Sequence, residues 1–280
     1  MSRFRYPVDT DQFALIREKD LVYVDKTDLM FDLVNRYNYV FLARPRRFGK
    51  SMLCNTFKAY FQGKKELFEG LKIMDLEKEW KKYPVLYFKF SQMSIFSELN
   101  NLNQISMIDE YSGLCGITQE ELDTVLRPCV EEYASNLEMT TDEAYALLKE
   151  KYDGYHFARK SQDIYAPFSL MRALNNNTTD NYWFESGTSA SLIEHLKHFP
   201  GFNPLDFDGV ELSLEAFNVP CENASTPVPM IYQSGYLTID YYNKEDDVYV
   251  LHFPNYEVRQ GMVYSLTNNP RPRTTFMSSN

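Results

Sequence analysis

The first part of the chain shows apolar residues at both helical and strand-like spacing. Residues 13–16 have the character of a short helix and Leu21–Val24 that of a short strand. The apolar side chains of residues 27–36 recur at helical spacing, so this segment is predicted to form a helix with one apolar face. Asp25 precedes it and is expected to cap it by accepting a hydrogen bond from the Asp28 amide.

A continuous apolar run, Tyr39–Ala43, follows this helix. Runs of this kind are typical of a central parallel strand covered on both faces. Residues 52–61 return to helical spacing, and Val85–Phe90 is the next strand-like run. Two strands joined by a helix predict a βαβ unit with a right-handed crossover.

The pattern becomes helical from residue 118 onward. Thr118 with Glu121, and Thr140 with Glu143, form two capping boxes at the starts of apolar-periodic segments. Pro167 occupies a first-turn position and Ser186–Thr188 has capping character. The helices predicted from these signals span residues near 119–136, 141–152, 167–175 and 189–199.

The last apolar pattern alternates with period two. Gly235–Tyr242 and Val248–Phe253 flank the polar turn Asn243–Asp247, which predicts a β-hairpin. A helix followed by a hairpin is also the element order of a winged-helix module, although that order says nothing about function. Residues 267–280 contain little that could be buried and are expected to form a frayed tail.

Composition and charge narrow the classes of function. The chain has 280 residues, 44% hydrophobic and 24% charged, which indicates a globular protein. Its formal net charge of −10 repels a polyanion, so tight DNA binding is not expected. No apolar run is long enough to span a membrane, and the N-terminus lacks a secretory pattern. A cytoplasmic location is therefore expected.

The segment between the first predicted strand and helix carries the main candidate chemistry. Residues 44–51 read Arg-Pro-Arg-Arg-Phe-Gly-Lys-Ser. Strand, loop and helix in this order are the context of a P-loop, in which Gly49 lets the backbone approach a phosphate. Lys50 would reach the β- and γ-phosphate oxygens, and Ser51 would ligate Mg²⁺. An ordinary basic turn is the alternative interpretation, since the first position is Arg44 and not glycine.

This loop predicts ATP and Mg²⁺ as cofactors. Several positive charges stand within seven residues of an otherwise acidic chain, which favours anion binding. The predicted nucleotide-binding residues are Arg44, Arg46, Arg47, Phe48, Gly49, Lys50, Ser51 and Met52.

Several motifs occur together and in order between residue 4 and about residue 260. They are Tyr6-Pro7, Tyr23–Thr27, the loop 44–51, Phe61–Lys64, the segment 94–102, Cys115–Thr118, Tyr152–Tyr155, Tyr182–Phe184 with Gly187-Thr188, Gln233–Tyr236 and Phe253–Asn255. With these motifs the chain resembles a bacterial family of AAA-ATPase-like proteins that often carry a C-terminal PD-D/E-X-K nuclease-like domain. The resemblance implies an AAA-type P-loop sheet and accounts for Arg44, because the family's P-loop also begins with arginine.

The chain departs from that family pattern in two places. A segment carrying the Walker B strand should separate Phe90 from Ser91, yet these residues are consecutive, so the sheet is expected to be truncated. The chain also stops where the nuclease-like domain would begin, and no nuclease is expected.

Asp109 and Glu110 resemble a replacement Walker B pair. A Walker B acid follows a buried apolar strand, whereas Asn103, Gln104 and Ser106 are polar. A surface loop is therefore the favoured interpretation of this segment, and the Walker B alternative stays open.

Together these patterns predict an α/β protein with three regions: an incomplete P-loop core at 1–117, a helical and winged-helix-like region at 118–266 and a tail at 267–280. The predicted function is binding of a nucleoside triphosphate, with hydrolysis weak or absent. The alternative is a non-enzymatic interaction scaffold with a vestigial P-loop. In that case apolar edges of the shortened sheet would favour self-association or a protein partner.

Overall fold

A computed structural model describes residues 3–87, 102–184, 192, 196, 199, 207–219 and 224–268. Its α-helices are α1 Phe13–Glu18, α2 Thr27–Arg36, α3 Lys50–Phe61, α4 Ile73–Leu76, α5 Gln119–Thr124, α6 Arg127–Asn136, α7 Thr141–Tyr152, α8 Pro167–Asn176, α9 Val228–Gln233 and α10 Tyr256–Asn268. Its strands are β1 Val40–Phe41, β2 Asn103–Gln104, β3 Ile117–Thr118, β4 Ile164–Tyr165, β5 Val210–Ser213, β6 Thr238–Asn243 and β7 Val248–His252. Short 3₁₀ helices lie at Lys65–Phe68, Asp109–Leu114, Tyr182–Phe184 and Glu215–Asn218.

The strands form three small sheets within a mixed α/β fold. Strand β1 pairs in parallel with β2, and β3 pairs antiparallel with β4. The third sheet is antiparallel in the order β5-β7-β6. The predicted α/β class is therefore confirmed as a mixed α/β fold with small sheets.

The first predicted strand is shorter and more exposed than its apolar run suggested. Only Val40 and Phe41 are in β1, and Tyr39 and Val40 are 63% and 38% exposed. The prediction of a strand covered on both faces is therefore wrong. Among the described residues β1 has one partner strand of two residues, which is too little to bury both of its faces.

The predicted strand Val85–Phe90 is also absent from the part of this segment that the structure describes. Residues 85–87 are not in a strand, and Leu86 is 85% exposed. Residues 88–90 lie outside the described residues. The parallel partner of β1 is instead β2, in a polar segment that the alternation of residues did not indicate.

Two predictions for the N-terminal part, the strand at residues 21–24 and the hydrogen bond of Asp25, are wrong. Residues 21–24 are not in a strand, although the Val22 amide donates to the Arg5 carbonyl at 2.8 Å. Asp25 accepts from the Thr27 amide at 2.9 Å and not from Asp28. Helix α2 itself covers the predicted residues 27–36.

The helical middle of the chain largely follows its capping signals. Both capping boxes are formed, and α7 and α8 begin where predicted. The predicted helix 119–136 is two helices, because Pro128 lacks the N–H that a continuous helix would donate to Thr124. The predicted helix 189–199 lies mainly outside the described residues.

The C-terminal hairpin is present as β6 and β7. Strand β5 extends it to three strands, an addition that the few apolar residues of 210–213 did not predict. Helix α10 continues to Asn268, past the predicted start of the tail at 267, and residues 269–280 lie outside the described residues.

The largest apolar cluster connects the loop before α3 to the C-terminal part of the chain. Phe48, fully buried, packs with Tyr155 and Trp183 as well as with side chains of the β5-β7-β6 sheet and α10. The loop is therefore anchored to residues more than a hundred positions away. None of the helices described here is long and apolar enough to cross a membrane.

Candidate functional site

A cavity of about 660 Å³ lies at the N-terminus of α3. Its walls are residues 46–53 of the loop and helix, the N-terminal segments 7–12 and 22–24, residues 114–117, and the first turns of α8. This volume is in the range of small-molecule binding sites. Seven of the eight predicted nucleotide-binding residues line it: Arg46, Arg47, Phe48, Gly49, Lys50, Ser51 and Met52.

The backbone at Gly49 turns the chain from the loop into α3. Its φ of +81° lies in the left-handed region that favours glycine. A Cβ placed there would meet nothing closer than the Met52 Cε at 3.8 Å, so the approach to this backbone is open. The three amides that follow lie in the first turn of α3, where N–H groups have no intrahelical acceptor and attract anions.

Lys50 is bonded to its own loop. Its Nζ donates to the carbonyl oxygens of Arg44 and Pro45 at 2.7 and 2.6 Å. Burial lowers the pKa of Lys50. The ammonium group thus lies at the cavity wall, held by two carbonyls that an anionic ligand would replace.

Arg46 has donors that the fold leaves unused. Its Nε and Nη1 are buried and have no hydrogen-bond partner in the described part of the chain. Its Nη2 lies 3.4 Å from the Tyr236 hydroxyl, and the guanidinium stands 5.8 Å from the Trp183 ring centre. Arg46 as a whole is half-buried at the cavity wall, and a cation there with unsatisfied N–H groups is a candidate for binding an anion.

Arg47 faces the same cavity but is held by neighbouring elements. It adopts φ +65° and donates to the Tyr182 carbonyl, and its guanidinium stacks on Phe168 at 4.1 Å. Ser51 and Met52 occupy the first turn of α3, where Ser51 is half-buried at the cavity wall.

Arg44 lies apart from the other predicted nucleotide-binding residues. It is absent from the cavity lining, and its buried guanidinium donates to the carbonyls of Ala43, Ser106 and Tyr111. It also stands 4.3 Å from the Phe157 ring centre. The phosphate contact predicted for Arg44 stays a prediction, while in the structure the side chain ties the end of β1 to residues 106–111.

Comparison with known proteins assigns the chain that carries this loop to a family. The AAA-ATPase-like family, described as predicted AAA-ATPase, matches residues 7–173, more than half of the chain. The chain belongs to the AAA-ATPase-like family. Membership supports a general nucleotide-binding, ATPase-like role.

One relative of this AAA-ATPase-like chain is a protein of Azotobacter chroococcum mcd 1, described as an uncharacterized protein in the vnfD 5' region. It is 26% identical over an alignment of 374 residues, which covers 94% of this chain and 70% of the relative. The alignment is longer than this chain of 280 residues. Within the aligned region the relative therefore has residues that have no counterpart in this chain. No solved structure matches the chain.

Asp109 and Glu110, the Walker B look-alike of this AAA-ATPase-like chain, are exposed in a 3₁₀ helix and do not line the cavity. Asp109 accepts from the Lys160 amide at 2.9 Å. Glu110 pairs with Arg36 at 2.6 Å. Their placement agrees with the surface interpretation that the polar residues before them favoured.

Sequence reasoning missed the walls that the rest of this AAA-ATPase-like chain contributes. Val8, Val22, Phe168 and Met171 give the cavity apolar sides. The motifs Tyr6-Pro7 and Tyr23–Thr27, which helped to carry the resemblance, overlap two of these wall segments and could have indicated them.

Lys26 and Cys115 also line the site. Lys26 lines the cavity and pairs with Glu121 at 2.5 Å, while burial lowers its pKa. Cys115 is buried at the same wall, and burial raises its pKa to about 11. The thiol is therefore neutral at physiological pH and acts as a small apolar group.

Proposed function

We propose that this AAA-ATPase-like chain binds a nucleoside triphosphate in the cavity before α3, through a variant Walker A loop. The observation that carries the proposal is the half-buried Arg46 side chain at the cavity wall, two of whose N–H groups have no partner in the described part of the chain, together with the open backbone at Gly49. Lys50 and the first-turn amides of α3 supply further donors on the same wall.

These groups fit a polyphosphate. A triphosphate would accept hydrogen bonds from Arg46 and Lys50, whose charges now lie in partly buried surroundings. The apolar sides formed by Val8, Val22 and Met171 leave room for the rest of a nucleotide. ATP is the proposed ligand on the basis of family membership.

The proposed Mg²⁺ would have few ligands from the protein. No cluster of three or more His, Cys, Asp or Glu side chains suited to a metal ion occurs among the described residues. Ser51 is the proposed protein ligand, and the phosphate oxygens and water would provide the others, as Mg²⁺ commonly accepts.

Hydrolysis is proposed to be weak or absent. Efficient turnover needs an acid that orders Mg²⁺ and the attacking water. Asp109 and Glu110 are engaged elsewhere on the surface. The additional residues of the Azotobacter relative agree with an internal shortening between Phe90 and Ser91, where the family's Walker B segment is expected.

Thermal unfolding in the presence of ligands tests the binding proposal directly. Mg-ATP, Mg-GTP and pyrophosphate are compared at several concentrations, with sodium sulfate at matched ionic strength as the control. A rise of the melting temperature with Mg-ATP and pyrophosphate, absent with sulfate, is the expected result. No rise with any of the three phosphates would refute the proposal.

The alternative proposal is a scaffold whose loop has lost its ligand. The exposed side chains of Tyr39 and Val40 at β1 favour it, since they offer an apolar edge for self-association or for a protein partner. Sedimentation with and without Mg-ATP separates the two proposals, because only the scaffold associates without regard to nucleotide.

We expect the steady-state ATPase rate of the wild type to equal that of Lys50→Ala. The physical reason is that Asp109 and Glu110 lie away from the cavity, and that the acids at its wall, Asp9 and Asp11, belong to the N-terminal segment and not to a Walker B strand. Phosphate release is measured for both proteins and for Asp109→Asn and Glu110→Gln. A Lys50-dependent rate that either carboxylate variant abolishes would establish these residues as a rebuilt Walker B site.

We expect no tight DNA binding, despite the proposed winged-helix-like order of the C-terminal elements. Between residues 205 and 250 the chain has one lysine, Lys244, against nine carboxylates. Nonspecific affinity arises mainly from neutralised phosphates, and this region would repel them. Fluorescence anisotropy with a labelled duplex at low and physiological salt checks the expectation, which submicromolar, salt-dependent binding by Lys50→Ala would contradict.

A further inference from the structure

Arg46 is the side chain that connects the proposed triphosphate site with the C-terminal part of the chain. Its unsatisfied Nε and Nη1 belong to a residue of the cavity wall, whereas its Nη2 faces the Tyr236 hydroxyl at 3.4 Å. The Trp183 ring lies 5.8 Å from the guanidinium carbon. Arg46 therefore lines the cavity and also reaches the C-terminal part of the chain.

The contacts around Arg46 come from a closely packed interface. Gly235 adopts φ +83°, and a Cβ there would lie 2.5 Å from the Pro45 Cβ and 3.1 Å from the Trp183 ring. Trp183 and Tyr236 are 0% and 1% exposed. The loop can approach this interface so closely only because residue 235 has no side chain.

The partners of Arg46 are themselves fixed by the fold. The Trp183 amide donates to Glu257 Oε1 at 2.7 Å, and the same oxygen accepts from Ser169 Oγ at 3.1 Å. Glu257 is fully buried on α10, and burial raises its pKa to about 7. The Tyr155 hydroxyl donates to the Gly235 carbonyl at 2.8 Å, next to Tyr236.

We infer that Tyr236 and Trp183 are positioning residues for Arg46, so that the C-terminal part of the chain completes the triphosphate site. The inference rests on the proposed function. A guanidinium on a long flexible stem binds best when its orientation is already fixed, and here an indole ring and a phenol hydroxyl restrict it. The family match ends at residue 173, so these two residues lie outside the matched region.

A double-mutant cycle on the full chain tests this inference. The affinity for Mg-ATP and for pyrophosphate is measured by titration calorimetry for the wild type, Arg46→Ala, Tyr236→Phe and the double variant. Tyr241→Phe is the matched control, since this tyrosine lies on strand β6, which begins two residues after Tyr236, and is 54% exposed. Urea unfolding of each variant establishes that it is folded at the assay temperature.

Removal of the Tyr236 hydroxyl is expected to weaken binding about fivefold, the effect of one hydrogen bond. Arg46→Ala is expected to weaken it at least tenfold, because hydrogen bonds of a charged donor are stronger. In the Arg46→Ala background, Tyr236→Phe should have no further effect, and Tyr241→Phe should have none in either background. A purely structural role of Tyr236 would instead lower affinity equally in both backgrounds.

Hydrogen exchange gives a second measurement that does not depend on a substitution. Pyrophosphate is expected to slow amide exchange at residues 236–243 as well as in the loop 44–51. Binding that leaves exchange at 236–243 unchanged, or a Tyr236→Phe effect that persists without Arg46, would overturn the inference while leaving the proposed function intact. If the wild type binds neither ligand, the proposed function and this inference both fail.

Discussion

Lys50→Ala is expected to abolish the stabilisation that Mg-ATP confers on the wild type. A ligand that binds only the folded state at about a hundred times its Kd raises the free energy of unfolding by about 2.7 kcal/mol. The Lys50 ammonium lies at the cavity wall, where it can exchange two backbone carbonyls for phosphate oxygens. Alanine offers no donor, and differential scanning fluorimetry over a ligand series measures the loss.

Lys58→Ala is the matched control, because Lys58 lies two turns further along α3 and is absent from the cavity lining. It should keep the full response to Mg-ATP. Lys50→Ala itself should also lose about 1 kcal/mol without ligand, since the carbonyls of Arg44 and Pro45 lose their donor. Equal responses to Mg-ATP in the wild type and Lys50→Ala would count against the site.

The second large effect is expected at Arg44, on stability and not on binding. Its guanidinium donates to the carbonyls of Ala43 at 2.8 Å, Ser106 at 2.8 Å, Tyr111 at 3.1 Å and Ser112 at 3.5 Å. Arg44→Ala leaves these carbonyls without that donor, and the expected loss is about 3 kcal/mol of unfolding free energy. Urea unfolding followed by circular dichroism measures it.

Arg127→Ala provides the comparison, because this arginine forms an exposed pair with Glu131 and its removal should change stability little. The folded fraction of Arg44→Ala should still bind Mg-ATP. If Arg44→Ala instead keeps wild-type stability and loses Mg-ATP binding, Arg44 is a phosphate ligand, as the loop sequence predicted.

Local signals predicted local structure well in this chain. The capping boxes at Thr118 and Thr140 and the hairpin around residues 243–247 depend on residues that are close in sequence, and all three are present. The burial of a strand in a sheet depends instead on partner strands that lie far away in the sequence. The run Tyr39–Ala43 has the composition of a buried strand, but its burial requires neighbouring strands that its own residues do not determine.

In the candidate site, too, the sequence predicted the local features but not those that depend on distant residues. Gly49, Lys50 and Ser51 are consecutive, so their common placement follows from one turn of backbone. Whether an arginine lines the cavity or bonds to a set of carbonyls depends on the surrounding fold, which is why the motif could not distinguish Arg46 from Arg44. The contributions of α8, Trp183 and Tyr236 likewise require the tertiary structure.

The anchoring of Phe48 also has a consequence for the order of folding. This side chain packs against Tyr155 and Trp183, and Pro45 lies against Gly235, so the contacts that fix the loop span between about 100 and 190 positions of sequence. Contacts of such long sequence separation form late and slow the folding of a chain. During synthesis, α3 can form long before residue 235 is made. The loop is thus expected to reach its final conformation among the last parts of the molecule, so a nascent chain gains no protection from nucleotide until nearly all of these residues have been translated.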